Sequence, residues 1–123
     1  MPGIRILLDQ NGPFGLRGLL TGHDVATAAG LGWSTITNGD LIRAAEGAGF
    51  AVLITCDRNI RHQQNLMGRQ LALIELTTNQ WATIRDNFAD VLSNVETAPP
   101  GSYATIRLPR PARRRRPYPR VEC

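Results

Sequence analysis

Three aspartates stand where short apolar runs end or a helix begins: Asp9 after Ile4-Arg5-Ile6-Leu7-Leu8, Asp57 after Phe50–Thr55 and Cys56, and Asp40 within Thr37-Asn38-Gly39-Asp40. If the fold brings them together, three ionised carboxylates within about 5 Å repel by roughly 3 kcal/mol per pair at an effective dielectric of about 20. Such a cluster persists only if a cation neutralises it or the carboxyls share protons. Oxygen ligands without His or Cys favour Mg2+ or Mn2+, which leave coordination positions open for water and phosphate. The chemistry that follows is phosphodiester hydrolysis, with the ion activating water and stabilising the departing oxygen.

The elements that must position these acids are legible in the hydrophobic pattern. Ile4–Leu8 reads as a buried parallel strand delivering a polar residue at its C-terminal end. Pro13 suits the first turn of a helix over 14–20, and a second strand is predicted over Val25–Ala28. Capping residues from Thr37 precede Leu41, Ile42, Ala44, Ala45 and Ala48 at helical spacing, with Gly47 and Gly49 ending that helix. Phe50–Thr55 is the most continuous β-type run, 58–67 a further helix and Gln70–Leu76 a fourth strand. Thr77 or Thr78 is expected to cap one long helix through Val95, and Ser102–Leu108 reads as an edge strand. The alternation of strands and helices predicts an α/β fold with an open, mostly parallel sheet and helices on both faces. Ligands in such sheets bind beyond the carboxyl ends of the strands, which is where Asp9 and Asp57 fall, with Asp40 opening a helix on the same side.

Composition narrows the classes. A chain of 123 residues with 42% hydrophobic residues has room for one domain and is too apolar for a disordered chain. No apolar run approaches the roughly 18 residues of a membrane helix, and the N-terminal apolar stretch is too short for a signal peptide, so a cytoplasmic protein is expected. Cys56 and Cys123 are poorly placed for a structural disulfide, and two lone histidines give no zinc spacing. Residues 1–98 carry seven Arg against nine acids, a net of −2, whereas residues 99–123 carry seven Arg against one Glu, a net of +6. The domain is expected over 1–108, followed by a disordered Arg/Pro-rich tail over 109–123.

Several short motifs occur in an order that resembles the compact PIN-like predicted ribonucleases of bacterial toxin–antitoxin pairs. They are Leu7-Leu8-Asp9 with Asn11, Gly22-His23-Asp24-Val25, Gly39-Asp40-Leu41, Thr55-x-Asp57-x-Asn59 and Gln63-Gln64-Asn65-Leu66. The resemblance covers about residues 4–95 and leaves out the Arg/Pro tail. It implies a PIN-like three-layer α/β/α sandwich, divalent-metal-dependent RNA cleavage with Mg2+ or Mn2+, a cognate antitoxin as partner, and a homodimer. Asp9, Asp40 and Asp57 stand at the family's acidic, catalytic and metal-binding positions. Where PIN nucleases commonly carry a fourth acid, this chain has Asn59, which can offer a carbonyl to a metal but no charge.

Each residue also has a plainer reading. Asp9 can serve as a turn former, Asp57 as a cap for the helix starting at Arg58, and Asp40 as an acid favoured at a helix N-terminus. Asn11 either orients the first carboxylate or builds the turn. Asn59 and Gln63, four apart, either order phosphate and water or form a solvated face. Arg58 and Arg61 either contact RNA or are solvated. Trp33 and Trp81 fit packing better than base stacking, and His23 fits a strand entry better than catalysis. The run Arg113-Arg114-Arg115-Arg116 either binds phosphates or keeps the chain soluble. Two functional classes therefore stand side by side: a metal-dependent endoribonuclease, and a catalytically inactive PIN-like module that binds RNA or protein. A phosphoacceptor receiver domain shares the strand-end acids but needs a lysine, and this chain has none.

Overall fold

The computed structural model describes residues 3–9, 14–33, 35–57 and 69–109. Within them the chain runs β1 (Arg5–Leu8), α1 (Leu16–Leu19), β2 (Asp24–Thr27), α2 (Asn38–Gly47), β3 (Val52–Thr55), β4 (Ala72–Leu76), α3 (Trp81–Asp86), α4 (Phe88–Thr97) and β5 (Tyr103–Ile106). The strands form one five-stranded sheet in the order β2-β1-β3-β4-β5. Every neighbouring pair is parallel, with Leu8 opposite both Thr27 and Ile54, Thr55 opposite Glu75, and Leu76 opposite Ile106. The expected α/β class with a parallel sheet is what the chain adopts.

β3 and β4 are buried along their whole length, which is why they read as apolar runs rather than alternating ones, with Glu75 the one charged residue within them. The strand period of two sends alternate residues to two cores. Ile6, Leu8, Val52, Ile54, Ile74 and Ile106 meet Leu16 and Leu20 of the α1 region, Ile84 of α3, and Val91 and Val95 of α4. Leu7, Leu53, Leu71 and Leu73 meet Leu41, Ile42 and Ala45 of α2 on the other face. Each fully buried Leu or Ile in these clusters contributes about 1.5–3 kcal/mol relative to exposure.

α2 begins where expected, with the Thr37 hydroxyl accepting from the Asp40 N–H at 3.3 Å. It ends at Ala48 and Gly49, whose φ of +85° is the left-handed conformation that glycine adopts without a Cβ penalty. The long helix expected from Thr77 or Thr78 is instead two. It starts at Trp81, with the Thr78 hydroxyl spent on the Gln80 N–H at 3.1 Å. It then breaks at Asn87, whose side-chain amide donates to the Thr83 carbonyl at 2.8 Å. The Asn87 backbone, at φ −118° and ψ 26°, departs from helical values, and the chain restarts as α4.

The ends of the sheet differ in character. At the amino edge Arg5 pairs with Asp24, and the Glu46 carboxylate takes Arg69 at 2.8 Å and the Gln70 N–H at 2.7 Å. His23 joins distant segments there: its Nδ1 accepts from the Ile4 N–H at 3.0 Å, so the proton sits on Nε2 and is donated to Glu96, also at 3.0 Å. That is the strand-entry role expected of His23. Trp33 meets the Phe50 ring edge-on at 6.4 Å and Trp81 packs against the α1/α3/α4 core, so both tryptophans are packing residues. Among the described residues no helix is long and apolar enough to cross a membrane.

Candidate functional site

The chain leaves β1 for the outer strand β2 and then returns across β1 to build β3, so the winding direction reverses between β1 and β3. A parallel sheet opens a crevice beyond the carboxyl ends of its strands at such a reversal. Asp9 is the residue after β1, and Asp57 lies two residues after β3. The two acids thus stand on either side of the switch point.

A threonine joins them. Thr55 is the last residue of β3 and is fully buried. Its hydroxyl donates to Asp9 Oδ2 at 2.8 Å and accepts from the Asp57 N–H at 3.0 Å. Because a hydroxyl has one proton, the bond from Asp57 N–H directs that proton towards Asp9. The Asp9 backbone is fixed as well, its N–H donating to the Ile54 carbonyl at 3.0 Å. Asp9 is only 6% exposed, and a buried carboxylate needs such donors to offset its lost hydration.

The third expected acid is held differently. Asp40 lies in the first turn of α2, exposed, and pairs with Arg43 one turn along the helix. Among the described residues no group of three or more His, Cys, Asp or Glu side chains is placed to hold a metal ion. The described residues therefore bring Asp9 and Asp57 to a shared hydroxyl and leave Asp40 with its own arginine. The expected helix over 58–67 lies outside the described residues, as do Asn11, Arg58, Asn59, Arg61, Gln63, Arg113, Arg114, Arg115 and Arg116.

Two further residues line this edge. Glu75 in β4, opposite Thr55 in register, is 3% exposed. It accepts from the Tyr103 hydroxyl of β5, which in turn lies 2.9 Å from the Thr105 hydroxyl. Reading the sequence missed Glu75, although an acid inside the apolar run Leu71–Leu76 was the available signal. Cys56 sits between these groups with its thiol donating to the Thr78 carbonyl at 3.5 Å. Burial, reinforced by the Asp9 and Glu75 carboxylates, pushes that thiol up to about 11. It is therefore a neutral packing group at physiological pH and not a nucleophile. It is also a free thiol, and Cys123 lies outside the described residues.

The arrangement offers hard oxygen donors at the mouth of a parallel sheet, with the geometry of Asp9 set by a residue that can only donate in one direction. No family model matches this chain, and neither a curated protein nor a solved structure does.

Proposed function

We propose that this protein is a divalent-metal-dependent endoribonuclease with a PIN-like three-layer α/β/α fold, acting as the toxin of a toxin–antitoxin pair. The observation that carries the reading is the pairing of Asp9 and Asp57 through Thr55 at the switch point of a parallel sheet. Oxygen donors of this kind suit Mg2+ or Mn2+, with Asp9, Asp40 and Asp57 as the candidate ligands, Asn59 as a further one, and Asn11 and Gln63 in supporting positions. When bound, the ion supplies water activation and charge neutralisation at the scissile phosphate. In this reading Thr55 holds the Asp9 carboxylate in one orientation and ties the Asp57 backbone N–H to the same hydroxyl. The motif resemblance supports the RNA substrate, the cognate antitoxin, a homodimer and a cytoplasmic location.

The test is cleavage of single-stranded RNA by the purified full chain with Mg2+ or Mn2+. Asp57→Asn and Asp9→Asn each reduce the rate by at least about 100-fold, the scale expected when a residue that assembles the reacting centre is lost. Cutting by both variants at the wild-type rate would remove the mechanism. A second reading, an inactive PIN-like module that binds RNA or protein, is motivated by Asn59, which stands where PIN nucleases commonly carry a fourth acid. Its signature is RNA bound and left intact by the wild-type chain in Mn2+.

A further inference from the structure

The carboxyl end of the sheet carries a row of polar side chains on one of its two faces. Leu7, Leu53, Leu73 and Tyr103 belong to the core shared with α2, and two residues further along each strand stand Asp9, Thr55, Glu75 and Thr105. The strand period of two returns them to that same face. Leu8 opposite Ile54 sets Asp9 beside Thr55, Thr55 is opposite Glu75, and Glu75 is opposite Thr105. Side-chain bonds join the row at both ends, from Thr55 to Asp9 and from the Tyr103 and Thr105 hydroxyls to Glu75.

Glu75 is the least exposed acid among the described residues, at 3%, and its two oxygens differ. Oε1 takes the Tyr103 hydroxyl and, at 3.5 Å, that of Thr105. Among the described residues nothing hydrogen-bonds to Oε2, and the arginines that form ion pairs do so with Asp24, Asp40, Glu46 and Asp86 instead. A buried oxygen in that state implies a water or a cation that meets it. The Cys56 thiol senses the same charges: after burial itself, Asp9 and then Glu75 raise it, so both carboxylates bear on the residue between Thr55 and Asp57. Two strand spacings, about 10 Å at the backbone, separate Asp9 from Glu75. No three acids among the described residues are placed to hold an ion directly. A small divalent ion does not require three, because it is commonly held by one or two carboxylates and keeps several of its waters.

We propose that Glu75 is a positioning residue of the cation site, accepting through Oε2 from the hydration water of a divalent ion held at Asp9. The ion rests on the functional reading above; the place of Glu75 rests on the row. Tyr103 and Thr105, by holding Oε1, fix the carboxylate so that Oε2 stays the accepting atom.

The experiment titrates Mn2+ into the full chain and reads free Mn2+ by electron paramagnetic resonance, with thermal unfolding in chelator alongside. Glu75→Gln keeps an acceptor for the Tyr103 hydroxyl and removes the charge. It should bind Mn2+ about 10-fold or more less tightly, the scale for groups that act on a metal through its ligands. A purely structural Glu75 would shift unfolding in chelator and leave the Mn2+ affinity alone. Glu75→Asp, which keeps the charge but draws it back by one methylene, covers a Gln variant that does not fold, and it should bind less tightly by about 3-fold or more. Either folded variant binding Mn2+ as tightly as wild type overturns the proposal and leaves the cation site at Asp9 and Asp57 standing. A wild-type chain that binds no Mn2+ overturns both.

Discussion

Replacing Thr55 by valine removes one hydroxyl and almost nothing else, which makes it the sharpest probe of how the two acids are held. The side chain is fully buried and valine matches its shape. What is lost is the donor to Asp9 Oδ2 at 2.8 Å and the acceptor for Asp57 N–H at 3.0 Å. A hydrogen bond to a charged group contributes about 1.5–3 kcal/mol and a neutral one about 0.5–1.5 kcal/mol. Asp9 and Asp57 both make other interactions, which absorb part of the loss, so Thr55→Val should destabilise by about 2–3 kcal/mol. Thr55→Ser keeps both bonds and removes one buried methyl, a cost of about 1 kcal/mol. Urea unfolding at pH 7, with m-values compared to exclude changes in the unfolded state, reads both. A cycle with Asp9→Ala should show coupling of at least about 1 kcal/mol between the two positions. A valine variant as stable as wild type, or a serine variant less stable than the valine one, would refute the argument that the hydroxyl organises the site.

Two more outcomes follow from the packing. Glu46 is held below the usual carboxylate range, chiefly by the Gln70 N–H and then by Arg69. A lowered folded-state value means that this stabilisation is complete above the ordinary range and is lost as pH falls through the lowered one, so the melting temperature of Glu46→Gln lies below wild type at pH 7 and the gap narrows on acidification below the ordinary carboxylate range. A gap that widens on acidification would reverse the sign of the assignment. Gly3→Ala places a Cβ 2.0 Å from the Gly22 carbonyl oxygen, a backbone atom that cannot step aside; thermal unfolding should show a loss of about 1–3 kcal/mol.

Much of this architecture was written in the hydrophobic pattern. Runs such as Val52-Leu53-Ile54 have no polar member because both faces of a central parallel strand are covered, and that continuity marks them in the sequence. The start of α2 was equally legible, since Thr37 caps locally and needs no tertiary partner. The break at Asn87 was not, because the apolar spacing of Trp81, Ile84, Phe88, Val91 and Leu92 continues through it. The break lies in the backbone of Asn87, at φ −118°, which periodicity does not register. At the site, strand ends announced Asp9 and Asp57, whereas the role of Thr55 depends on the seam between β1 and β3, which is a property of strand order. Asp40 carried two readings from the start, and its pairing with Arg43 is the local one. Glu75 escaped notice because its partners, Tyr103 and Thr105, lie in a strand about thirty residues further on.

The central claim, that Asp9 and Asp57 form the core of a divalent-cation site, is tested most directly by unfolding the full chain in increasing Mn2+. A ligand that binds only the folded state stabilises it by about 2.7 kcal/mol at 100 times its dissociation constant. Wild type should gain that stability in the millimolar range and Asp57→Asn should not. A wild-type chain indifferent to Mn2+, or a variant that gains as much, would contradict the claim.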